Sequence, residues 1–272
     1  MADTGHSGLE AENKLFLLLE FEKSAADVVK ILKAHTADST AARAGNILAA
    51  YYLKAGDMDQ AMHYTLLCDS LNGTNGTALL SFMRTCNERG LHRQAVVVGS
   101  EIIARYGNSP ILSEARFMLA DALTHQGRLP EAIAAYDTII AVFPRPQDKS
   151  EAAYCIGMIY LDLMDDPRRA LNIFDSVAST YPGGIGYLRS MLATPDVYIR
   201  LDRLDSARTA LRALGKRQVN EDVAEELVFK LAQLDFFDHR FDSAAAAFRR
   251  LMVEYPRGFY VNDALQLMLV ID

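Results

Sequence analysis

Only three cysteines stand among the 272 residues, Cys68, Cys86 and Cys155, and no two of them form a CxxC pair. That excludes an even disulfide framework, and the three are expected to be small buried apolar side chains. Positive charge never concentrates: no basic run exceeds two residues, as at Arg168-Arg169 and Arg249-Arg250, and the net charge is −7. Such a chain repels phosphate backbones, so no nucleic acid partner is expected. Long hydrophobic runs are missing too. The longest strongly apolar stretch, Leu15 to Leu19, is far shorter than the roughly 20 residues a membrane-spanning helix needs, and no direct membrane span is expected. Met1 to Gly8 has neither the basic start nor the apolar core of a signal peptide. As written the chain is expected in the cytoplasm; a signal removed ahead of Met1 would place it in the periplasm.

Catalytic and metal-binding signatures are equally scarce. There is no Walker loop, HExxH pair or GxSxG elbow, and Gly5-His6-Ser7-Gly8 lacks the final glycine that the last of these requires. Gly183-Gly184-Ile185-Gly186 has no third spaced glycine and no following lysine, so it reads as a plain loop rather than an anion cradle. The six histidines, at positions 6, 35, 63, 92, 125 and 239, are scattered, and no two share a helical face at three- or four-residue spacing. Asp165-Asp166 and Glu225-Glu226 read as turn or helix-start acids, favoured by the positive end of a helix dipole. No metal, no cofactor and no catalytic residue is expected, and the chain is read as not an enzyme.

What is present is a repeat. Half the residues are hydrophobic and 23% are charged, the balance of a folded protein, and the texture stays even from about residue 9 onward. An alanine opening a helix recurs at Ala25, Ala61, Ala95, Ala132, Ala170, Ala207 and Ala244, at intervals of 36, 34, 37, 38, 37 and 37 residues. Five residues earlier, Gly56, Gly90 and Gly127 suit a left-handed helix C-cap. Twelve residues earlier, Ala49, Ala120 and Ala232 permit close helix approach. Four residues later, Tyr136, Phe174 and Phe248 fall on the same face one turn on, and Phe143-Pro144, Tyr181-Pro182 and Tyr255-Pro256 close the second helix.

These landmarks resemble the tetratricopeptide repeat family over nearly the whole chain, most clearly over 110–182 and 222–256 and above all at 122–136, AlaLeuThrHisGlnGlyArgLeuProGluAlaIleAlaAlaTyr. The repeats ending in Tyr-Pro are similar to those of bacterial envelope scaffolds of the Tol-Pal coordinator and outer-membrane assembly type. The implied fold is all-α, a right-handed superhelical solenoid of antiparallel helix pairs, stabilised by stacking of neighbours. Residues 1–8 are expected to be a disordered leader. Residues 9–272 should hold about six helix pairs plus an incomplete seventh, with a degenerate first pair at about 9–34. Irregularity is expected near 183–195: Thr194-Pro195-Asp196 reads as an N-cap, first-turn proline and acid, predicting a break with a fresh short helix from Pro195.

The resemblance also implies where a ligand sits, since in the family the first helix of each pair lines a concave groove. By repeat alignment the groove residues are Leu80, Arg84, Asn87, Phe117, Asp121, His125, Tyr154 and Met158, with Phe229, Gln233, Phe236 and Phe237 further on. Phe117, Tyr154 and Phe229 fit equally as packing between adjacent first helices. Phe236 and Phe237 cannot both face inward. The lysine and asparagine clamp by which some members hold a C-terminal carboxylate is missing, and Asn46 and Arg84 do not rebuild it. The function implied is a non-enzymatic protein- or peptide-binding scaffold. The alternative is a self-assembly module, possessing an apolar helix at 262–272 that either continues into further chain or self-associates with a second copy. A third reading places a catalytic domain beyond residue 272.

Overall fold

The computed structural model describes residues 22–36, 40–217 and 219–271, together with Lys14 and Leu19. The leader at 1–8, with His6 and the Gly5 to Gly8 tetrapeptide, lies outside the described residues, as does most of 9–21. The described chain is helical, in the order α1 (Glu22–Ala34), α2 (Ala41–Ala55), α3 (Met58–Asn72), α4 (Thr77–Glu88), α5 (His92–Arg105), α6 (Leu112–His125) and α7 (Leu129–Val142). There follow α8 (Pro146–Met158, continued by a wider turn over Ile159–Leu163), α9 (Pro167–Thr180), α10 (Ile185–Arg200), α11 (Leu204–Gly215), α12 (Glu221–Phe237), α13 (Phe241–Glu254) and α14 (Val261–Ile271). Among the described residues this gives six consecutive helix pairs, α2/α3 through α12/α13, with α1 before them and α14 after. The chain forms two compact units, 1–135 and 136–272.

The landmark alanines explain the pairing. All seven are buried, six of them on second helices and Ala25 on α1, where a methyl group lets the neighbouring helix approach. Five residues before them the backbone turns left-handed in six repeats: at Gly56, Gly90 and Gly127 as expected, and also at Asp165, Asp202 and His239, with φ of 50–56°. Asp and His tolerate that region better than other side chains. The three later turns therefore share the geometry of the first three without glycine. The second helices end one residue ahead of Phe143, Tyr181 and Tyr255, as the following prolines require.

Within a pair, bulk on one helix is matched by its absence on the other. In the second unit, Phe174 on α9 packs where a side chain on Gly157 of α8 would overlap its ring, and Phe248 on α13 is buried with Ala232 of α12. In the first unit the sizes are exchanged: Met83 fills the first helix and Gly99 clears the second, a Cβ there falling 2.6 Å from the Met83 methyl. Gly157 stands thirteen residues before its alanine rather than twelve. The extra residue is taken up in the wider turn, where Met164 N–H donates to Ile159 O at 3.0 Å.

Two local expectations are corrected. Pro195 does not start a helix: it lies buried inside α10, which runs unbroken from Ile185 to Arg200. Proline removes the donor to Met191 O, but the neighbouring groups are held, since Thr194 Oγ1 donates to Ser190 O at 2.7 Å and Lys230 Nζ of α12 donates to Leu192 O at 3.2 Å. Nor are the glycines at 183–186 only a loop. Gly186 is buried in the first turn of α10, where any Cβ would overlap the Ser150 backbone of α8, so it permits close helix approach.

Candidate functional site

The first helices carry the predicted site residues. In the first unit, Arg84 of α4 pairs with Glu114 of α6 at 2.5 Å, both half exposed, and Asn87 Nδ2 donates to Met118 O at 3.3 Å. These contacts bring the α4 and α6 faces together, with Asp121 and His125 exposed and Phe117 half-buried. Leu80 is elsewhere: it is buried in the core formed by α3 to α6.

In the second unit, Tyr154 of α8 stacks on Phe174 of α9 at 6.0 Å and lies under the Arg189 guanidinium of α10 at 5.7 Å. Burial raises its phenol pKa, and the nearby Arg189 charge opposes that shift. Met158 packs beside Leu161, Ala193 and Val197. Phe229 is 6% exposed and packs on Tyr260 at 4.7 Å and Phe248 at 5.9 Å, which settles it as core. A helix turns about 100° per residue, so an alignment offset of one residue moves a position from groove to core. Gln233 and Phe236 are half-buried and Phe237 is 41% exposed. Phe236 makes edge contacts with Phe237 and Phe241 at 5.8 and 5.7 Å, an aromatic trio at the α12–α13 turn.

That turn is braced by charge. Arg208 of α11 reaches Asp235 at 2.5 Å and Asp238 at 3.2 Å, and Arg240 reaches the same two carboxylates at 2.7 and 3.0 Å. Lys230, almost buried, joins α12 to α10 through Asp196 at 2.6 Å and also lies 3.4 Å from Glu226. Thus α10 separates the Tyr154 and Met158 set from the α12 set.

Several residues with structural work to do were not anticipated. Glu225 is not a solvated helix-start acid: it is buried and accepts from the Phe259 and Tyr260 amides at 3.2 and 2.8 Å, holding the loop before α14. Asp69 has the same role in the first unit, accepting from the Gly76 and Ala78 amides and from the Thr74 and Tyr106 hydroxyls. Its hydrogen bond to Tyr106 raises that phenol's pKa. His92 and His125 stack at 4.5 Å across α5 and α6, a contact between helices that a search along one helix face does not find. Among the described residues no cluster of three metal-ligating side chains occurs, and no helix is long and apolar enough to cross a membrane.

Helix pairs with a left-handed turn, an alanine at the crossing and an aromatic one turn on have the geometry of tetratricopeptide repeats. Comparison agrees: residues 114–145 match the tetratricopeptide repeat family model. Among solved structures the chain is similar to PilW, described as a widely conserved type IV pilus biogenesis factor, at 12% identity and a TM-score of 0.56, over 84% of this chain and 100% of that one. It is also similar to PilF of Pseudomonas aeruginosa, at 15% identity and 0.53, over 82% and 95%. A putative kinesin light chain from Podosopora anserina, with nearly identical TPR-like repeats, gives 13% and 0.53 over 67% and 97%. No curated protein matches in sequence. These likenesses concern the fold.

Proposed function

We propose that this chain is a non-enzymatic scaffold that holds a protein segment against the faces of its first helices. The observation that carries the reading is the aromatic trio Phe236, Phe237 and Phe241, partly exposed on a turn made rigid by the Arg208 and Arg240 ion pairs. Aromatic side chains that offer contact area with little entropy left to lose are the usual anchors of a binding surface. Phe117, Asp121 and His125 supply a second, more polar stretch on α6.

Photo-crosslinking tests this. A benzophenone side chain placed at Asp121, Gln233 or Phe237 should capture a partner that one at Val253, 81% exposed on second helix α13, does not. Phe237→Ala with Phe241→Ala, both exposed members of the trio, should abolish capture from Gln233 at unchanged helicity. Equal capture from α13 would sink the proposal.

A second reading, self-assembly, is favoured by α14. Leu265, Leu269 and Val270 are 45%, 79% and 71% exposed on a helix that has no second helix packed on it among the described residues. Sedimentation should then show a mass that rises with concentration and reverts to one chain in Leu269→Glu. A constant mass rejects it.

A further inference from the structure

A separate cavity opens on the other side of the first unit, between the second helices α3 and α5. Its volume is about 150 Å³, on the order of what a benzene-sized group occupies in a protein. Met58 and Met62 of α3 line one side and Val97 of α5, 56% exposed, the other. Phe82 and Val98, both buried, make the floor. Methionine walls adapt to the shape of an incoming aliphatic group, which suits a site that meets one bulky side chain.

The rim carries charge that the fold leaves unused. Arg93, in the first turn of α5, and Asp59, in the first turn of α3, both line the cavity, and both are exposed. Neither makes an ion pair or a side-chain hydrogen bond among the described residues, whereas Arg84, Arg105 and Arg128 in the same unit are all paired. A guanidinium over an apolar recess recognises a carboxylate placed next to a bulky aliphatic group. Asp59 disfavours a second carboxylate on the α3 side, and its own carboxylate has the capacity to accept a backbone N–H there.

We propose that this cavity is a docking site, distinct from the first-helix faces, for a protein segment with a leucine-sized side chain followed by an acidic residue. The side chain fills the recess, the carboxylate pairs with Arg93, and a backbone amide of the segment donates to Asp59.

The test uses the full chain labelled with 13C at the methionine methyls, so that Met58 and Met62 report directly on the cavity. The blocked dipeptide Ac-Leu-Glu-NH2 is titrated in, with Ac-Leu-Gln-NH2 and Ac-Ala-Glu-NH2 as controls. The Met58 and Met62 signals are expected to shift and saturate with the first probe. Binding should fall roughly fivefold with Ac-Leu-Gln-NH2, and equally for Ac-Leu-Glu-NH2 on Arg93→Gln, the scale of one exposed ion pair. Ac-Ala-Glu-NH2 should leave both signals in place. Still signals at Met58 and Met62, or shifts confined to other methionines, overturn the site. Shifts that ignore both the glutamate and Arg93→Gln overturn the acidic segment. Arg93 is exposed, so circular dichroism of Arg93→Gln should match the parent.

Discussion

Five residues ahead of six of the landmark alanines the backbone is left-handed, where a side chain at φ near +55° crowds its own carbonyl and glycine does not. Asp202 bears that strain at φ 56° with no ion pair or side-chain hydrogen bond among the described residues to offset it. Asp202→Gly should therefore stabilise the protein by about 0.5 kcal/mol, and Gly56→Ala should destabilise it by about 1 kcal/mol. Paired thermal melts check both, and a lower midpoint for Asp202→Gly would contradict the account. Tyr260 makes a different prediction. Burial, reinforced by Glu226 and Asp196, pushes its phenol up to about 12 from an ordinary value of 10. The folded state keeps this proton where the unfolded chain releases it. Its contribution is full below about pH 10 and is lost as pH rises through about 12. Melting temperature should fall less steeply across that window in Tyr260→Phe than in the parent.

At the scale of elements, the same packing rule gives unequal costs. A methyl at Gly157 meets the ring of Phe174, which is stiff and buried, whereas one at Gly99 meets the free end of Met83. Gly157→Ala should cost about 1–3 kcal/mol and Gly99→Ala clearly less, measured by denaturant unfolding. In α10 the proline and Lys230 act together. Pro195→Ala restores an amide for Met191 O, and Lys230→Met withdraws the donor from Leu192 O. The two substitutions should couple by about 0.5–1 kcal/mol in a double-mutant cycle, and strict additivity would show that the lysine does not compensate for the missing amide. These elements also mark what the sequence disclosed. The alanines, Gly-turns and Tyr-Pro ends are local in sequence and were legible. Unlegible were Met83 with Gly99, Lys230 with Leu192 and Glu225 with the Tyr260 amide, because each joins residues 16 to 38 positions apart whose relation depends on helix phase. The candidate site divided on the same line: Arg84, Asp121, His125 and Phe237 are exposed, while Leu80 and Phe229 turned inward.

For the whole molecule, stability in a stacked array is a sum over neighbouring pairs, so damage stays near its source. Gly157→Ala should speed amide exchange in the helices of 136–272 and leave α2 to α5 in the first unit at parental protection, read by hydrogen exchange with mass spectrometry. Uniform loss across both units would mean a single cooperative body. Phe237, His125 and Arg93 are exposed in three different repeats, so each can be substituted without disturbing the packing around the other two.

The wider turn at Ile159–Leu163 shows how far this latitude extends. One residue more or fewer in an ordinary helix would rotate every later side chain by about 100° and misplace the alanine crossing. Here the added residue is confined to one turn, and Gly157 before it and Ala170 after it keep their contacts. Helix α8 thus holds one residue more than the twelve-residue spacing of its counterparts, and it marks a place where a change in the length of the chain, and not only in its side chains, can be absorbed within one turn.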